Sequence, residues 1–233
     1  MSKVVVVTGA SQGIGAATVT AYRKLGWNVV ATSRSIQPSD DPGVLAVPGD
    51  LADPAVAARI IEAGRRHFGR VDSLVNNAGI FIAKPFADYT GEDFDAITGV
   101  NLRGFFAITQ QAAGAMAEQG GGHVVTITTS LVDHANSSLQ SALASLTKGG
   151  LAAATKSLAI EYARRNVRFN AVSPGIIRTP MHPAETHEFL SALHPVGRMG
   201  EISDVTDAIV YLENAPFVTG EILHVDGGQS AGH

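Results

Sequence analysis

Short runs of β-branched residues alternate along the chain with longer stretches whose apolar residues recur at helical spacing. The runs are Lys3–Thr8, Asn28–Ser33, Val44–Val47, Ser73–Asn76, His123–Thr128, Arg168–Val172 and Ile222–Val225. They are apolar throughout rather than alternating, as strands are when buried on both faces of a parallel sheet. Helical patterns lie between them at Gly15–Leu25, Ala55–Phe68, Phe94–Glu118, Leu146–Ala163 and Ser203–Glu213. Repeated strand–helix units with right-handed crossovers predict an α/β fold, a three-layer doubly wound parallel sheet. No repeat or low-complexity tract breaks the pattern, and the Pro/Asp/Gly cluster at Pro38–Gly43 reads as a surface loop. A single domain over 1–233 is expected.

Composition narrows this picture without changing it. A chain of 233 residues buries a full core without disulfide or metal staples, and 45% apolar residues argue for a folded globule. The formal charge of −4 points to neither a nucleic-acid nor a membrane partner. There is no cysteine, which excludes disulfides and a thiol nucleophile. The apolar start at Val4–Val7 is broken by Gly9 and Gly13, and no run approaches the roughly 18 residues of a membrane span. A cytoplasmic location is expected.

Chemistry first shows in "VVVVTGASQGIGAATVTAYRKLG", which sets Gly9, Gly13 and Gly15 between a buried strand and an amphipathic helix. Glycine there permits a tight turn and close approach to a diphosphate, while the helix N-terminus offers unpaired N–H groups and partial positive charge. In dinucleotide-binding folds, the end of the second strand distinguishes the cofactors: a carboxylate grips a ribose 2′-hydroxyl, a basic residue accommodates a 2′-phosphate. Here "VVATSRS" offers Ser33 and Arg34 and no carboxylate, and Gln12 adds no second charge. A guanidinium fork suits phosphate, so NADP(H) is preferred and NAD(H) remains possible.

Several separated motifs then agree. "TGASQGIG" at Thr8–Gly15, "GDLAD" at Gly49–Asp53, "NNAG" at Asn76–Gly79, "VNLRG" with Asn101, "ITTS" ending in Ser130, "TKGG" with Lys148, "NAVSPGIIRTP" at Asn170–Pro180 and "TGEILHVDGG" at Thr219–Gly228 occur in this order. Over essentially its whole length the chain resembles the short-chain dehydrogenase/reductase family. The resemblance implies a Rossmann-type sheet of seven parallel strands, a small-molecule substrate and assembly as a homotetramer. It implies that Gly9, Ser11, Gln12, Gly13, Ile14 and Gly15 form the diphosphate turn, with Ser33 and Arg34 beyond it. Asp50 and Leu51 would border the adenine, and Asn77, Ala78 and Gly79 would lie along the cofactor. Pro174, Gly175, Ile177 and Thr179 would meet the nicotinamide and its phosphates, and Lys148 would bond the nicotinamide ribose. Asn101 resembles the asparagine that organises a water-linked proton path, and Ser130 the serine that bonds the substrate oxygen. Thr129 is the alternative, because the interval from Ser130 to Lys148 exceeds the family spacing.

One departure bears on activity. The family places a tyrosine four residues before the lysine, on the same helix face, to move a proton at the carbonyl or alcohol oxygen while hydride moves at carbon. Ala144 stands there, and none of Tyr22, Tyr89, Tyr162 and Tyr211 lies four residues before a lysine. A positioned general acid is typically worth about 10²–10⁴ in rate. Three replacements are open: His134, oriented by Asp133; Lys148, directly or through water linked to Asn101; or an acceptor such as a quinone that needs little help at oxygen. The reading is an NADP(H)-dependent oxidoreductase with an atypical site, the alternative a non-catalytic dinucleotide-binding regulator.

In the family, the stretch at about 178–200 is a mobile lid over the substrate. Here it carries His182, His187 and His194 with Glu185 and Glu188. Their spacing does not fit a helical H-E-x-x-H zinc site, and Pro183 interrupts a helical start, so no metal is expected. Met181 or His182 is expected to face the substrate, and Phe189, Leu190 and Leu193 have the spacing to seal an apolar pocket.

Overall fold

Val4 and Val6 point to one side of the first strand, Val5 and Val7 to the other, and both sides are fully buried. That double burial fixes the architecture of the computed structural model, which describes residues 2–232. Seven parallel strands are β1 (Val4–Thr8), β2 (Asn28–Thr32), β3 (Val44–Ala46), β4 (Ser73–Asn76), β5 (Gly122–Ile127), β6 (Val167–Pro174) and β7 (Ile222–Val225). They run in the order β3-β2-β1-β4-β5-β6-β7. The order reverses between β1 and β4, where the crossovers diverge and leave a crevice beyond the strand C-termini.

The helices are α1 (Gly13–Lys24), α2 (Pro54–Phe68), α3 (Gly91–Thr98), α4 (Phe105–Glu118), α5 (Ala142–Tyr162), α6 (His187–Ala192) and α7 (Ile202–Asn214). On one sheet face Val4, Val6, Leu74, Val124 and Phe169 pack with Ile60 of α2, Met116 of α4 and Ala159 of α5. On the other, Val5, Val7, Val75, Val125 and Val172 pack with Tyr22 of α1 and Ile209 and Leu212 of α7. The three predicted layers are present.

The single helix expected over Phe94–Glu118 is divided. A capping box between Thr90 and Asp93 starts α3, and the chain widens into a π-helical segment, Gly99–Gly104, before α4. A helix that loosens by one residue per turn re-aims the side chains on it, and such segments recur at functional sites. Asn101 sits within it.

At the N-terminal end of the strands, away from the crevice, Glu213 gathers Tyr22, Ser73 and His123 on one carboxylate oxygen at 2.8–3.0 Å. Burial pushes that carboxyl up, but the donors outweigh it and hold it below the ordinary range. The cluster ties α1 and α7 to the sheet. Among the described residues no helix is long and apolar enough to cross a membrane.

Candidate active site

A cavity of about 790 Å³ opens over the strand C-termini. One end is built by the glycine turn. Gly9 and Gly13 hold φ of 65° and 56°, which side chains rarely adopt, and a Cβ on Gly15 would lie 2.1 Å from the Gly9 carbonyl. Gln12 caps α1 without a side-chain bond and the first turn holds no acid, so the leading N–H groups face the cavity unneutralised. Asn77 fastens the neighbouring turn, donating from its amide to the carbonyls of Thr8 and Gly9 at 3.0 and 3.2 Å. Thr8 Oγ1 accepts in return from the backbone N–H groups of Asn77 and Ala78.

Ser11, Gln12, Ile14, Ser33, Arg34, Asp50, Leu51, Ala78, Gly79, Pro174, Gly175, Ile177 and Thr179 all line this cavity with Gly9, Gly13 and Asn77. Gly15 does not reach its wall; its lack of a side chain lets the helix start against Gly9. Arg34 is exposed at the end of β2 and makes no ion pair among the described residues. The donors of the glycine turn, the bare helix terminus and this unpaired guanidinium fit a phosphorylated dinucleotide.

The other end of the cavity holds Lys148, Thr128, Thr129 and Ala144 beside apolar Leu131, Leu139 and Leu190. Lys148 donates to the Ile127 carbonyl at 2.7 Å, and a Cβ on Gly79 would come within 3.1 Å of its Nζ. Burial depresses its ammonium from the ordinary value to about 8. Ala144, one helical turn earlier on α5, presents only a methyl group. None of the four tyrosines lines the cavity: Tyr22 bonds Glu213, and Tyr89 bonds the Ile82 carbonyl.

Three residues expected at the reacting centre lie off the cavity wall. Ser130 faces away from the cavity, 1% exposed, its hydroxyl donating to Gln229 Oε1 at 2.6 Å. The chain enters a turn at Ser130–Val132, and Thr129, the residue before it, lies on the wall. Thr129 Oγ1 accepts from Leu131 N–H at 3.4 Å and keeps its proton to donate. His134 lies past the turn and is not on the wall; its backbone N–H donates to the Ser130 carbonyl, and the neighbouring Asp133 meets His224 at 3.1 Å. Asn101 is buried behind the cavity: its amide accepts from Ile80 N–H and donates to the Ile80 carbonyl and to Thr147. It braces the chain beside Gly79 and Lys148.

The segment after β6 leaves and rejoins the body at one point. Gly200 N–H donates to the Ile176 carbonyl, and Arg178 N–H to that of Gly200. Thr179, Pro180, Met181, His182 and Leu190 line the cavity, whereas Phe189 and Leu193 do not. The histidines are spent on this segment's own backbone. His182 Nδ1 donates to the Ile177 carbonyl and His187 Nε2 to that of His182, at 2.9 and 3.0 Å. His194 accepts from Ile176 N–H on Nε2 and donates from Nδ1 to Leu190. Among the described residues no cluster of His, Cys, Asp and Glu could hold a metal.

Comparison with known proteins agrees with this geometry. The family described as enoyl-(acyl carrier protein) reductase matches residues 9–230. The 3-oxoacyl-(acyl-carrier-protein) reductase FabG of Thermotoga maritima is 34% identical, with 97% of each chain covered. The solved structure of ElxO with NADP bound superposes with a TM-score of 0.92 at 28% identity over 100% of both chains. A 3-ketoacyl-(acyl-carrier-protein) reductase from Brucella melitensis complexed with NADH gives 0.88 at 31% identity over 98% of both.

Proposed function

Because the chain belongs to the short-chain dehydrogenase/reductase family, we propose that it is an NADP(H)-dependent oxidoreductase that reduces a carbonyl, a quinone or a similar electrophile without a phenolic acid. One observation carries the reading: a continuous cavity runs from the glycine turn and Arg34 to Thr129 and Lys148. NADP in one structural relative and NADH in another support a pyridine dinucleotide, and the unpaired Arg34 favours the phosphorylated form.

The bound dinucleotide would supply the hydride. The turn at Gly9–Gly15 and the N-terminus of α1 would hold its diphosphate, Arg34 with Ser33 its 2′-phosphate, and Asp50 and Leu51 its adenine. Lys148 keeps two N–H donors beyond the one given to Ile127, enough for the ribose and for a proton relayed toward the substrate oxygen. Thr129 donates its hydroxyl proton in a hydrogen bond to that oxygen, the role of an oxyanion donor. The methyl of Ala144 with Leu131 and Leu139 makes an apolar floor that excludes water. The stretch at 178–200, with Met181 and His182 on the cavity, acts as the substrate lid.

An ammonium of pKa near 8 is a usable acid at neutral pH. It is nevertheless a substitute for a group worth about 10²–10⁴ in rate. Acceptors that stabilise their own reduced oxygen, quinones above all, are therefore the favoured substrates. NADPH consumption measured across aldehydes, ketones, imines and quinones tests this. Quinone turnover well above ketone turnover is expected; dinucleotide binding with no turnover of any class would instead favour a regulator.

A further inference from the structure

We infer that Gln229, acting through Ser130, is a positioning residue that holds Thr129 on the substrate wall of the cavity. The inference rests on the role proposed above for Thr129. Beyond β5 the chain is extended at Thr129, with φ −163° and ψ 144°, and then enters the Ser130–Val132 turn. Neighbouring residues of an extended chain point to opposite sides. Fixing Ser130 on the inner side therefore fixes Thr129 on the cavity side.

What fixes Ser130 arrives from the far end of the sequence. Its hydroxyl meets the Gln229 amide at 2.6 Å, with 1% of Ser130 and 0% of Gln229 exposed. A hydroxyl both donates and accepts, so the bond persists in either orientation of the amide. The other end of that amide, Nε2, is buried with no partner among the described residues. A methionine would fill this place without a buried unpaired donor, so stability alone does not account for the glutamine. Its one bond is the bond to the loop that carries Thr129.

Gln229 is itself held rigidly. The Asp226 carboxylate accepts from the N–H groups of Gly228 and Ser230 at 3.0 and 2.8 Å, and Gln229 N–H donates to the Asp226 carbonyl. Gly227 and Gly228, at φ 61° and 89°, permit this tight turn. Its flanks are tied on three sides: Gly175 N–H to the Val225 carbonyl, Val196 N–H to that of Gly227, and His224 to Asp133. The C-terminal turn and the end of β7 thus clamp the loop after β5 at two points, Ser130 and Asp133, and the turn also holds Val196 within the 178–200 segment.

Gln229→Met tests the clamp, since it removes the acceptor at similar length and leaves the Ser130 hydroxyl buried and unpaired. Amide exchange over Thr129–His134 should accelerate about tenfold or more as that loop opens locally. The value of kcat should fall about tenfold, because small displacements of a positioning group are costly in rate, while NADPH affinity stays within about twofold. The double variant Ser130→Ala/Gln229→Met, which lacks the same bond, should lose no more of kcat than either single variant, and recovery to the unaltered rate overturns the inference. Unchanged exchange overturns the inference; so does faster exchange with unchanged kcat, and so does NADPH affinity falling in step with kcat. If the unaltered protein turns over no acceptor, the oxidoreductase reading falls. Exchange then decides the clamp alone, acceleration supporting it and constancy overturning it. Should Gln229→Met not fold, Ser130→Ala breaks the same contact from the other side and is held to the same outcomes.

Discussion

Replacing Lys148 by methionine should make the protein more stable at neutral pH and less stable at high pH. An ordinary lysine titrates at 10.5, whereas burial brings this one to about 8. At about 1.36 kcal/mol for each tenfold, keeping the ammonium charged in the folded state costs about 3 kcal/mol at pH 7. That is an upper figure, because part of the side chain still opens to the cavity. The cost is complete below pH 8, where both states carry the proton. Between pH 8 and 10.5 the unfolded chain binds more protons than the native one, so wild-type stability rises with pH, and above 10.5 the cost is gone. Methionine removes the charge but also the bond to the Ile127 carbonyl, worth about 1 kcal/mol. The variant should thus gain about 2 kcal/mol at pH 7 and lose about 1 kcal/mol near pH 10.5. Urea midpoints of both proteins at the same concentration and both pH values measure this, provided the slopes match. A variant equally destabilised at both pH values would refute the reasoning, for it would mean that the ammonium is solvated or paired and has no lowered pKa to use as an acid.

Thr129→Val should lower kcat/KM about 10²–10³-fold, the loss expected for one oxyanion donor, whereas His134→Ala should leave steady-state rates within about twofold; the reverse ranking would reinstate histidine as the acid. Arg34→Ala should weaken NADPH about tenfold, a charge-assisted phosphate contact being worth about 1.5–3 kcal/mol before screening, and leave NADH unchanged by fluorescence titration. Ala144→Tyr returns a phenol beside Lys148 and should raise ketone reduction about 10²–10⁴-fold with little effect on quinones. No gain on either acceptor would show that proton delivery does not limit the wild type.

The sheet was legible because each strand is a short apolar run and each crossover helix has its own period. All seven predicted runs correspond to strands, with ends shifted by a residue or two. The break in Phe94–Glu118 was not legible. Its apolar period continues through Asn101, and only the buried bonds from Asn101 to Ile80 and Thr147 mark the widened turn. The cradle could be read because glycines and an uncapped helix start announce themselves locally. The place of Ser130 was not legible for the opposite reason: its hydroxyl is taken by Gln229, 99 residues away in sequence, which no spacing rule reaches. The one available sign was the lengthened interval before Lys148, which had already made Thr129 the alternative.

These two kinds of legibility correspond to two kinds of machinery. The dinucleotide cradle is made mostly of backbone: positive-φ glycines, the free N–H groups of α1 and the braced turn at Asn77. Such a cradle is indifferent to the side chain at position 144. The reacting end we propose is made of side chains on separate elements, Thr129 after β5 and Lys148 on α5, and each can change while the sheet stays intact. An alanine at position 144 therefore need not disturb the cradle, but in the proposed reaction it would leave the demand for a proton to whatever acid remains beside the substrate. Lys148 is the ionisable group left on that wall with a pKa lowered toward neutrality by its surroundings. Its desolvation would thus have opposite consequences for stability and for the proposed reactivity: the cost of burying the charge in the fold is what would leave the proton available to the substrate.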